Sequence, residues 1–208
     1  MKIARLLELC SGYPYFDLAF LRQFSGENDA TVDLNVSRWL ANGTLVPLRR
    51  GMYTLAKHLR KAEIFTPRLA NDLYPPSYLT DAWALTFYGL VPDVAREHTS
   101  ATMRRPQRFV NEFGVFSYRH LDEAYFWGFR TVQTTRGECR CAIPEKALLD
   151  HWYWTQGEWT IARLRELRLQ NLGQLDLGKL QEAVARWGKP RIHRAYRCLR
   201  EIVREEES

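Results

Sequence analysis

The sequence predicts an α+β protein of two domains, and three observations lead to this fold class. Apolar residues at helical spacing mark three short helices near the amino terminus, and two β-rich runs around a basic turn follow them directly. A polar, basic segment comes next. Helical and strand-like patterns then occupy the rest of the chain. We therefore expect a first domain over residues 1–56 and a larger domain over residues 63–208.

The first three helices are predicted from their apolar spacing and their caps. Residues 2–10 form a short amphipathic pattern, and Asp17 is a candidate cap for a second helix. Asn28 or Asp29 can cap a third helix that ends at Asn42. The third helix has a stripe of residues at the spacing of a buried face: Val32, Val36, Trp39 and Leu40.

A β-hairpin with a basic tip is predicted next. Residues 44–48 and 52–55 are rich in β-forming residues and flank the turn Arg49-Arg50-Gly51. Three short helices and then a hairpin is the element order of a winged helix-turn-helix, whose third helix enters the major groove of double-stranded DNA. We predict that the DNA contacts come from the outward residues of the third helix and from the hairpin: Thr31, Asn35, Ser37, Arg38, Arg49, Arg50 and Tyr53.

The charge of this first domain is low for a DNA-binding module. Residues 1–56 contain six basic and five acidic side chains, a net charge of +1. Because neutralisation of phosphates supplies much of the affinity for DNA, one copy should bind weakly. We expect a monomer or weak dimer in solution that binds operator repeats cooperatively. A winged helix that docks a protein partner is the alternative.

The second domain is predicted to contain helices around a small, mainly antiparallel sheet, with a helical carboxyl terminus. The strand-like runs are residues 98–102, 116–120, 126–133 and 138–143. The predicted helices are residues 64–74, residues 77–88, a helix that starts at Pro144, and helices near 160–171, 176–187 and 190–206.

Two basic clusters of the second domain are candidates for a second contact surface with DNA or a protein. One is a predicted exposed loop with Arg104, Arg105 and Arg108. The other is one face of the last predicted helix, with Arg191, Arg194 and Arg197. The loop can equally be a solvated surface, and for the helix face a solvated surface is favoured, because nearby glutamates offset its charge.

Composition limits the other classes of function. The whole chain has 30 Lys and Arg against 24 Asp and Glu, a net charge of +6, which favours an anionic partner. No apolar run approaches the roughly 20 residues that span a bilayer, and Glu8 interrupts any signal-peptide core. We expect a cytoplasmic protein with no membrane partner.

Metal and enzyme chemistry are not expected. Of the four cysteines only Cys139 and Cys141 are close, and one intervening residue is too few for a usual zinc site. A nuclease is the strongest enzyme alternative, with carboxylates such as Glu145 beside Lys146. Adjacent side chains at a helix start diverge, however, so Glu145 is better explained by the helix dipole and Lys146 by a surface position or an ion pair. We predict no cofactor and no metal.

Three segments resemble one known family. They are RRGMY at residues 49–53, the segment 77–90 with YGL at its end, and AIPEKALLD at residues 142–150. Together they are similar to the AbiEi family of antitoxins from type IV toxin–antitoxin systems, over roughly residues 1–154. The resemblance implies a bacterial transcriptional autorepressor that binds inverted repeats in its own promoter. It also implies a second domain that counteracts a nucleotidyltransferase-like toxin, with direct toxin binding left open. A solitary regulator without a toxin is the alternative.

Overall fold

The computed structural model describes residues 2–206, with side chains to residue 205. Met1 and residues 207–208, which the predicted domains include, lie outside the described residues. Over that range the fold is mixed α+β, with a three-stranded antiparallel sheet, a six-stranded mixed sheet and a helical carboxyl terminus. The chain divides into two compact units. Unit 1 is Met1–Leu69 with Phe109–Gly114, and unit 2 is Ala70–Arg108 with Val115–Ser208.

Three short helices open unit 1, each close to its predicted position. Asp17 caps the second helix by accepting a hydrogen bond from the Phe20 amide at 2.7 Å. Asn28 caps the third helix in the same way, by accepting a hydrogen bond from the Thr31 amide at 2.9 Å. The helices are α1 (Ile3–Cys10), α2 (Leu18–Phe24) and α3 (Asp29–Ala41).

A small sheet completes this part of unit 1. Its strands are β1 (Phe16–Asp17), β2 (Leu45–Arg49) and β3 (Met52–Leu55). β3 lies in the centre, antiparallel to both neighbours. The predicted hairpin is therefore present as β2 and β3, with Gly51 in a left-handed conformation (φ +76°) at its turn. The strand β1 has two residues and was not predicted.

The core of unit 1 forms where the helices pack on this sheet. The predicted stripe of α3 is confirmed: Val32, Val36 and Trp39 are buried, and Leu40 packs partly buried against them. The buried residues from the other elements of the cluster are Leu6, Cys10, Phe16, Leu21, Leu45, Tyr53 and Leu55.

Unit 2 contains most of the six-stranded sheet, of which residues 109–111 and 114 belong to unit 1. The strands are β4 (Ser77–Leu79), β5 (His98–Thr102), β6 (Gln107–Asn111), β7 (Gly114–His120), β8 (Phe129–Thr134) and β9 (Gly137–Ala142). Their spatial order is β6-β7-β5-β4-β9-β8. The pairs β4–β9 and β5–β7 are parallel, whereas β4–β5 and β8–β9 are antiparallel.

Helices accompany this sheet and form the carboxyl-terminal part. They are α4 (Thr66–Leu73), α5 (Asp81–Phe87), α6 (Pro144–Trp154), α7 (Ile161–Glu166), α8 (Leu177–Trp187) and α9 (Pro190–Glu206). The helical carboxyl terminus and the start of α6 at Pro144 agree with the prediction.

The sheet differs from the prediction in three respects. Residues 107–111 form the strand β6, which was not predicted. Residues 77–88 were predicted as one helix, but Ser77–Leu79 form the strand β4 and the helix starts only at Asp81. An apolar run buried on both faces of a central strand looks like a buried helix in the sequence, since it lacks alternation. The sheet is also mixed instead of mainly antiparallel. The connections place β7 parallel to β5 and β9 parallel to β4.

Candidate nucleic-acid interface

The exposed face of α3 is the first component of the candidate site. At 100° per residue, five exposed positions of this helix fall on one stripe, called here the α3 stripe: Ala30, Leu34, Ser37, Arg38 and Ala41. Thr31 lies half-buried at its edge. The Leu34 side chain is 72% exposed, more than any other large apolar residue described in unit 1. The sequence prediction included Thr31, Ser37 and Arg38 of these residues. It omitted Leu34, although the position of Leu34 opposite the buried stripe was a usable signal.

Asn35 does not point outward as predicted. It is 5% exposed, because its position lies beside Trp39 at the edge of the buried face of α3. Its Nδ2 donates to Glu27 Oε2 at 3.0 Å, and its Oδ1 accepts from the Arg38 guanidinium at 2.6 Å. Asn35 therefore holds Arg38 in place and has no free edge to offer an adenine.

The remaining polar groups of α3 have defined partners. Arg38 is exposed, and it uses one of its five N–H donors on Asn35. Ser37 donates its hydroxyl to the Asp33 carbonyl at 2.9 Å. The Asp33 carboxylate accepts from Arg22 at 2.9 Å, so a cation compensates the acid nearest the stripe.

The hairpin tip supplies the second component of the candidate site. Arg50 is exposed, whereas Arg49 is half-buried and donates to the Arg50 carbonyl at 3.0 Å. Tyr53, predicted as a DNA contact, is 9% exposed and belongs to the core cluster. It lies on the central strand β3, where it pairs with Phe16 and Pro47, so its ring is unavailable to a ligand.

The predicted basic loop of unit 2 is exposed but partly engaged. Arg104 donates to the Pro75 carbonyl at 3.2 Å and stacks on the Tyr74 ring at 4.2 Å. Arg108 is the second residue of β6, so it lies in a strand instead of a loop, 3.8 Å from the Glu97 carboxylate. Arg105 is exposed.

The predicted basic face of α9 is not a continuous cationic surface. Arg191 is half-buried and donates to the carbonyls of Gly157 (2.7 Å) and Tyr153 (3.2 Å). Arg194 forms an ion pair with Glu158. Residues 153–158, in α6 and just after it, thus engage two of the three arginines, whereas Arg194 and Arg197 are both exposed.

Unit 2 also contains a buried polar cluster within α6, in the segment that carries the family resemblance. Lys146 is fully buried and forms an ion pair with Asp150 one turn later. Asp150 also accepts from the Thr80 hydroxyl at 2.7 Å and the Tyr78 hydroxyl at 3.0 Å. The Lys146 ammonium lies 4.5 Å from the centre of the Trp187 ring. Of the two predicted explanations for Lys146, the ion pair is confirmed and the surface position is wrong.

The environment of Lys146 displaces its protonation equilibrium. Burial lowers the pKa of its ammonium group, and the Asp150 carboxylate opposes this shift. The neighbouring Glu145 is also buried and accepts a hydrogen bond from the Asp176 amide at 2.8 Å. The three charged residues of this segment therefore tie α6 to other parts of unit 2, Glu145 to Asp176, Asp150 to Thr80 and Lys146 to Trp187.

A second polar cluster of unit 2 joins α5, β7 and α6. His151 Nδ1 lies 2.7 Å from Asp81 Oδ1, and Arg119 donates to Asp81 Oδ2 at 3.2 Å. Burial tends to raise the pKa of Asp81, but the hydrogen bond from His151 and the charges of His151 and Arg119 outweigh it, so that pKa lies below its usual value. Sequence reasoning missed this cluster because its members are about 30 to 70 residues apart.

Across residues 2–206, no three or more His, Cys, Asp and Glu side chains are grouped so that they could hold a metal ion. Cys139 and Cys141 are both buried in β9 as free thiols. In the same part of the chain, no helix has the length and apolar character needed to cross a membrane.

Comparison with known proteins gives no match: no protein-family model matches the sequence, and no curated protein does so at a significant level. The geometry of the two units therefore carries the functional argument.

Proposed function

We propose that unit 1 is a winged helix-turn-helix that binds double-stranded DNA, with α3 in the major groove and the hairpin tip against the backbone. The observation that carries this proposal is the α3 stripe. Its small residues Ala30, Ser37 and Ala41 leave room for close approach to base edges. With 13 residues, α3 is roughly 20 Å long, enough to lie along the groove.

Within this proposal the exposed side chains have different tasks. Arg38, held by Asn35, presents guanidinium donors of the kind that bind guanine O6 and N7. Leu34 offers an apolar contact to a thymine methyl group. Arg50 at the hairpin tip reaches a phosphate. Because Asn35 is buried, the specificity rests on Arg38 and Leu34.

A wider proposal rests on the sequence resemblance. The protein is then an autorepressor and antitoxin of a type IV toxin–antitoxin system, in which unit 2 counteracts a nucleotidyltransferase-like toxin. The net charge of +1 over residues 1–56 supports cooperative binding of several copies on promoter repeats.

DNA binding is tested by fluorescence anisotropy with the segment upstream of the protein's own coding sequence, against scrambled DNA of the same composition, over a salt series. Arg38→Ala should bring affinity for the upstream segment close to that for scrambled DNA. Arg50→Ala should weaken binding to both alike and lower the salt slope by about one. Arg136→Ala, at the exposed tip of the β8–β9 hairpin of unit 2, is the matched control and should leave binding unchanged. Absence of salt-sensitive, sequence-preferring binding would reject the proposal.

The antitoxin role has its own test. The chain is co-expressed with a nucleotidyltransferase-like protein encoded beside it, and growth is measured. We expect the full chain to restore growth, and Arg38→Ala to restore it equally when expression is driven from an unrelated promoter. Failure of the full chain to restore growth would overturn the antitoxin role and leave DNA binding intact.

Docking of a protein partner is a second candidate, and the exposure of Leu34 favours it. In that case Arg49→Ala and Arg50→Ala leave function intact, while Leu34→Asp abolishes it. Under DNA binding, by contrast, Arg50→Ala weakens function.

A further inference from the structure

Unit 2 presents a line of basic side chains along α9, which the proposed contacts of unit 1 do not involve. At about 100° per residue, the members of this line fall within about 80° of the helix circumference. They are called here the α9 stripe: Lys189, His193, Arg197, Arg200 and Arg204. Lys189 directly precedes the helix, and its carbonyl accepts a hydrogen bond from the His193 amide at 3.2 Å. Lys189 therefore lies one helical turn before His193 on the same line.

The α9 stripe is not the basic face that the sequence predicted. The predicted residues Arg191, Arg194 and Arg197 are three positions apart, and each such step rotates the side chain by about 60° around the helix. Successive members of the α9 stripe are three or four positions apart and together stay on one line. Only Arg197 belongs to both sets, so the contacts of Arg191 and Arg194 do not occupy the stripe.

Three cations of the stripe have no ion pair with any side chain that the structure describes, namely Lys189, Arg197 and Arg200. Arg197 is exposed. Arg200 donates to the Tyr196 hydroxyl at 3.1 Å, and the Lys189 ammonium lies 5.6 Å from the centre of the Tyr125 ring. Because these partners are neutral, the positive charge of the stripe is not cancelled.

The borders of the stripe add little negative charge. Towards α8, the Tyr196 hydroxyl lies 3.3 Å from Gln181 Oε1, so a neutral amide lies on that side. On the other border Glu201 follows Arg197 by one turn, and the two form no ion pair in the structure. Glu205, farther round the helix, is paired with Arg165. Three unpaired cations thus lie beside one unpaired carboxylate.

The length of the stripe suits a polyanion. Residues 189–204 extend over about 22 Å at a rise of 1.5 Å per residue. Consecutive nucleotides of one DNA strand rise by about 3.4 Å, so the stripe can reach several phosphates of one strand. Guanidinium groups such as that of Arg197 bind phosphate oxygens through two parallel hydrogen bonds.

Two other classes of anionic partner fit the stripe less well. A helix that lies on a membrane surface inserts an exposed apolar face, but the apolar residues Ile192, Leu199 and Ile202 of α9 are buried. Protein interfaces are anchored by apolar or aromatic side chains. None of the large apolar residues of α9 that the structure describes is exposed. A nucleic-acid backbone needs no such anchor.

We propose that the α9 stripe binds the phosphate backbone of double-stranded DNA without sequence preference. The choice of DNA as the polyanion rests on the proposed function of unit 1. Of the net charge of +6, residues 1–56 hold +1 and residues 57–208 hold +5. Because phosphate neutralisation supplies much of the affinity for DNA, the stripe provides attraction that the first domain lacks.

The test is fluorescence anisotropy of the full chain with the upstream duplex and with its scrambled counterpart, between about 50 and 200 mM salt. Arg197→Ala should weaken binding to both duplexes alike and lower the salt slope by about 0.9. Its deficit in affinity should therefore shrink about three- to fourfold over this salt range. Arg197→Lys, which keeps the charge, should restore the slope.

Arg194→Ala is the matched control. It removes the same charge from a neighbouring line of the same helix, and Arg194 is already paired with Glu158, so the slope should stay unchanged. Circular dichroism checks that both variants keep the helical content of the unmodified chain. The proposal is overturned if Arg197→Ala leaves the slope unchanged or if both variants lower it equally.

Two further probes test the choice of partner. Single-stranded RNA and polyglutamate are offered under the same conditions, and both should bind more weakly than duplex DNA. Tighter binding of either probe that Arg197→Ala weakens would overturn the assignment to DNA. A failure of the proposed function of unit 1 looks different: Arg38→Ala and Arg50→Ala would leave binding unchanged, while Arg197→Ala would still lower the salt slope.

Discussion

The polar residues of α3 and those of α6 occupy opposite environments. On α3, Arg38 and Ser37 lie on the exposed face, and each makes one described hydrogen bond from its side chain. On α6, Lys146 and Asp150 are completely buried, and Asp150 alone accepts from three side chains. Polar and charged residues thus lie at the surface of unit 1 on α3 and form structural links inside unit 2 on α6. Residue type alone would assign both helices to a functional site, because both carry charged side chains.

The largest effect is expected when the buried pair is broken. Lys146→Met leaves Asp150 buried without its cation, so unit 2 should lose about 3–5 kcal/mol of unfolding free energy. Urea unfolding followed by tryptophan fluorescence measures this, since Trp39 alone of the tryptophans belongs to unit 1. The double variant Lys146→Met/Asp150→Leu should recover part of the loss.

The surface pair Lys179–Asp176 is the control for that prediction. Its nitrogen–oxygen distance is 3.1 Å, but both side chains are exposed, so Lys179→Met should change unfolding little. Equal destabilisation by the two lysine variants would show that the contrast between buried and exposed groups is wrong.

Gly128→Ala should have the second-largest effect. Gly128 has φ +73°, and an added Cβ would lie 3.0–3.2 Å from three side-chain carbons of the buried Lys146. The backbone strain alone costs about 1–2 kcal/mol, and the contact adds to it. Gly43 has the same φ of +73°, and a Cβ added there would meet open space. Gly43→Ala should therefore lower the unfolding free energy only by the cost of the backbone strain. A smaller loss for Gly128→Ala than for Gly43→Ala, in urea unfolding of the respective units, would contradict the close packing against Lys146.

Asp81→Asn should destabilise unit 2 by about 2 kcal/mol at pH 7, because it removes a charged acceptor from His151 and Arg119. Asparagine tolerates the left-handed backbone, so the change isolates the charge. The pKa of Asp81 is lowered on folding, so its contribution is complete above its unfolded value and is lost as pH falls through the folded one. The stability difference from the unmodified protein should therefore shrink below about pH 4. A difference that is constant from pH 7 to pH 3 would argue against this role.

The smallest effect is expected at the one buried polar residue of α3. Asn35→Ala removes the hydrogen bonds to Glu27 and Arg38, and the opening free energy of α3 should fall by about 1 kcal/mol. Amide hydrogen exchange of α3 measures it. Ser37→Ala, on the exposed face of the same helix, should change the opening free energy of α3 by no more than about 0.5 kcal/mol. If both variants behaved alike, Asn35 would not be the link that holds Arg38.

Local signals predicted much of the fold. The caps Asp17 and Asn28, the buried stripe of α3 and the start of α6 each depend on neighbours within one or two helical turns. The strand β4 escaped prediction because Tyr78 and Leu79 are buried on both sides, which removes the alternation that marks a strand.

The candidate sites were harder to predict, because they depend on burial and on contacts between distant elements, which residue type does not reveal. Asn35 was assigned outward on its polarity, although its helical position lies at the edge of the buried face. The spacing of Lys146 and Asp150, one helical turn, contained a usable signal for an ion pair. The Asp81–His151 pair had none, since it depends on the arrangement of α5 beside α6.

The central position of β4 also sets the order in which unit 2 can assemble. Leu79 pairs with Cys141 across the sheet, so this pairing must close a loop of about 60 residues before its hydrogen bonds form. The three helices of unit 1, by contrast, are stabilised within a short stretch of chain. Since folding rate falls as the sequence separation of native contacts grows, the helices of unit 1 should become protected early and the β4–β9 ladder late. During synthesis, β4 can pair with β5 soon after residue 102 has been added, but its other edge stays open until β9, which ends at Ala142, has been made.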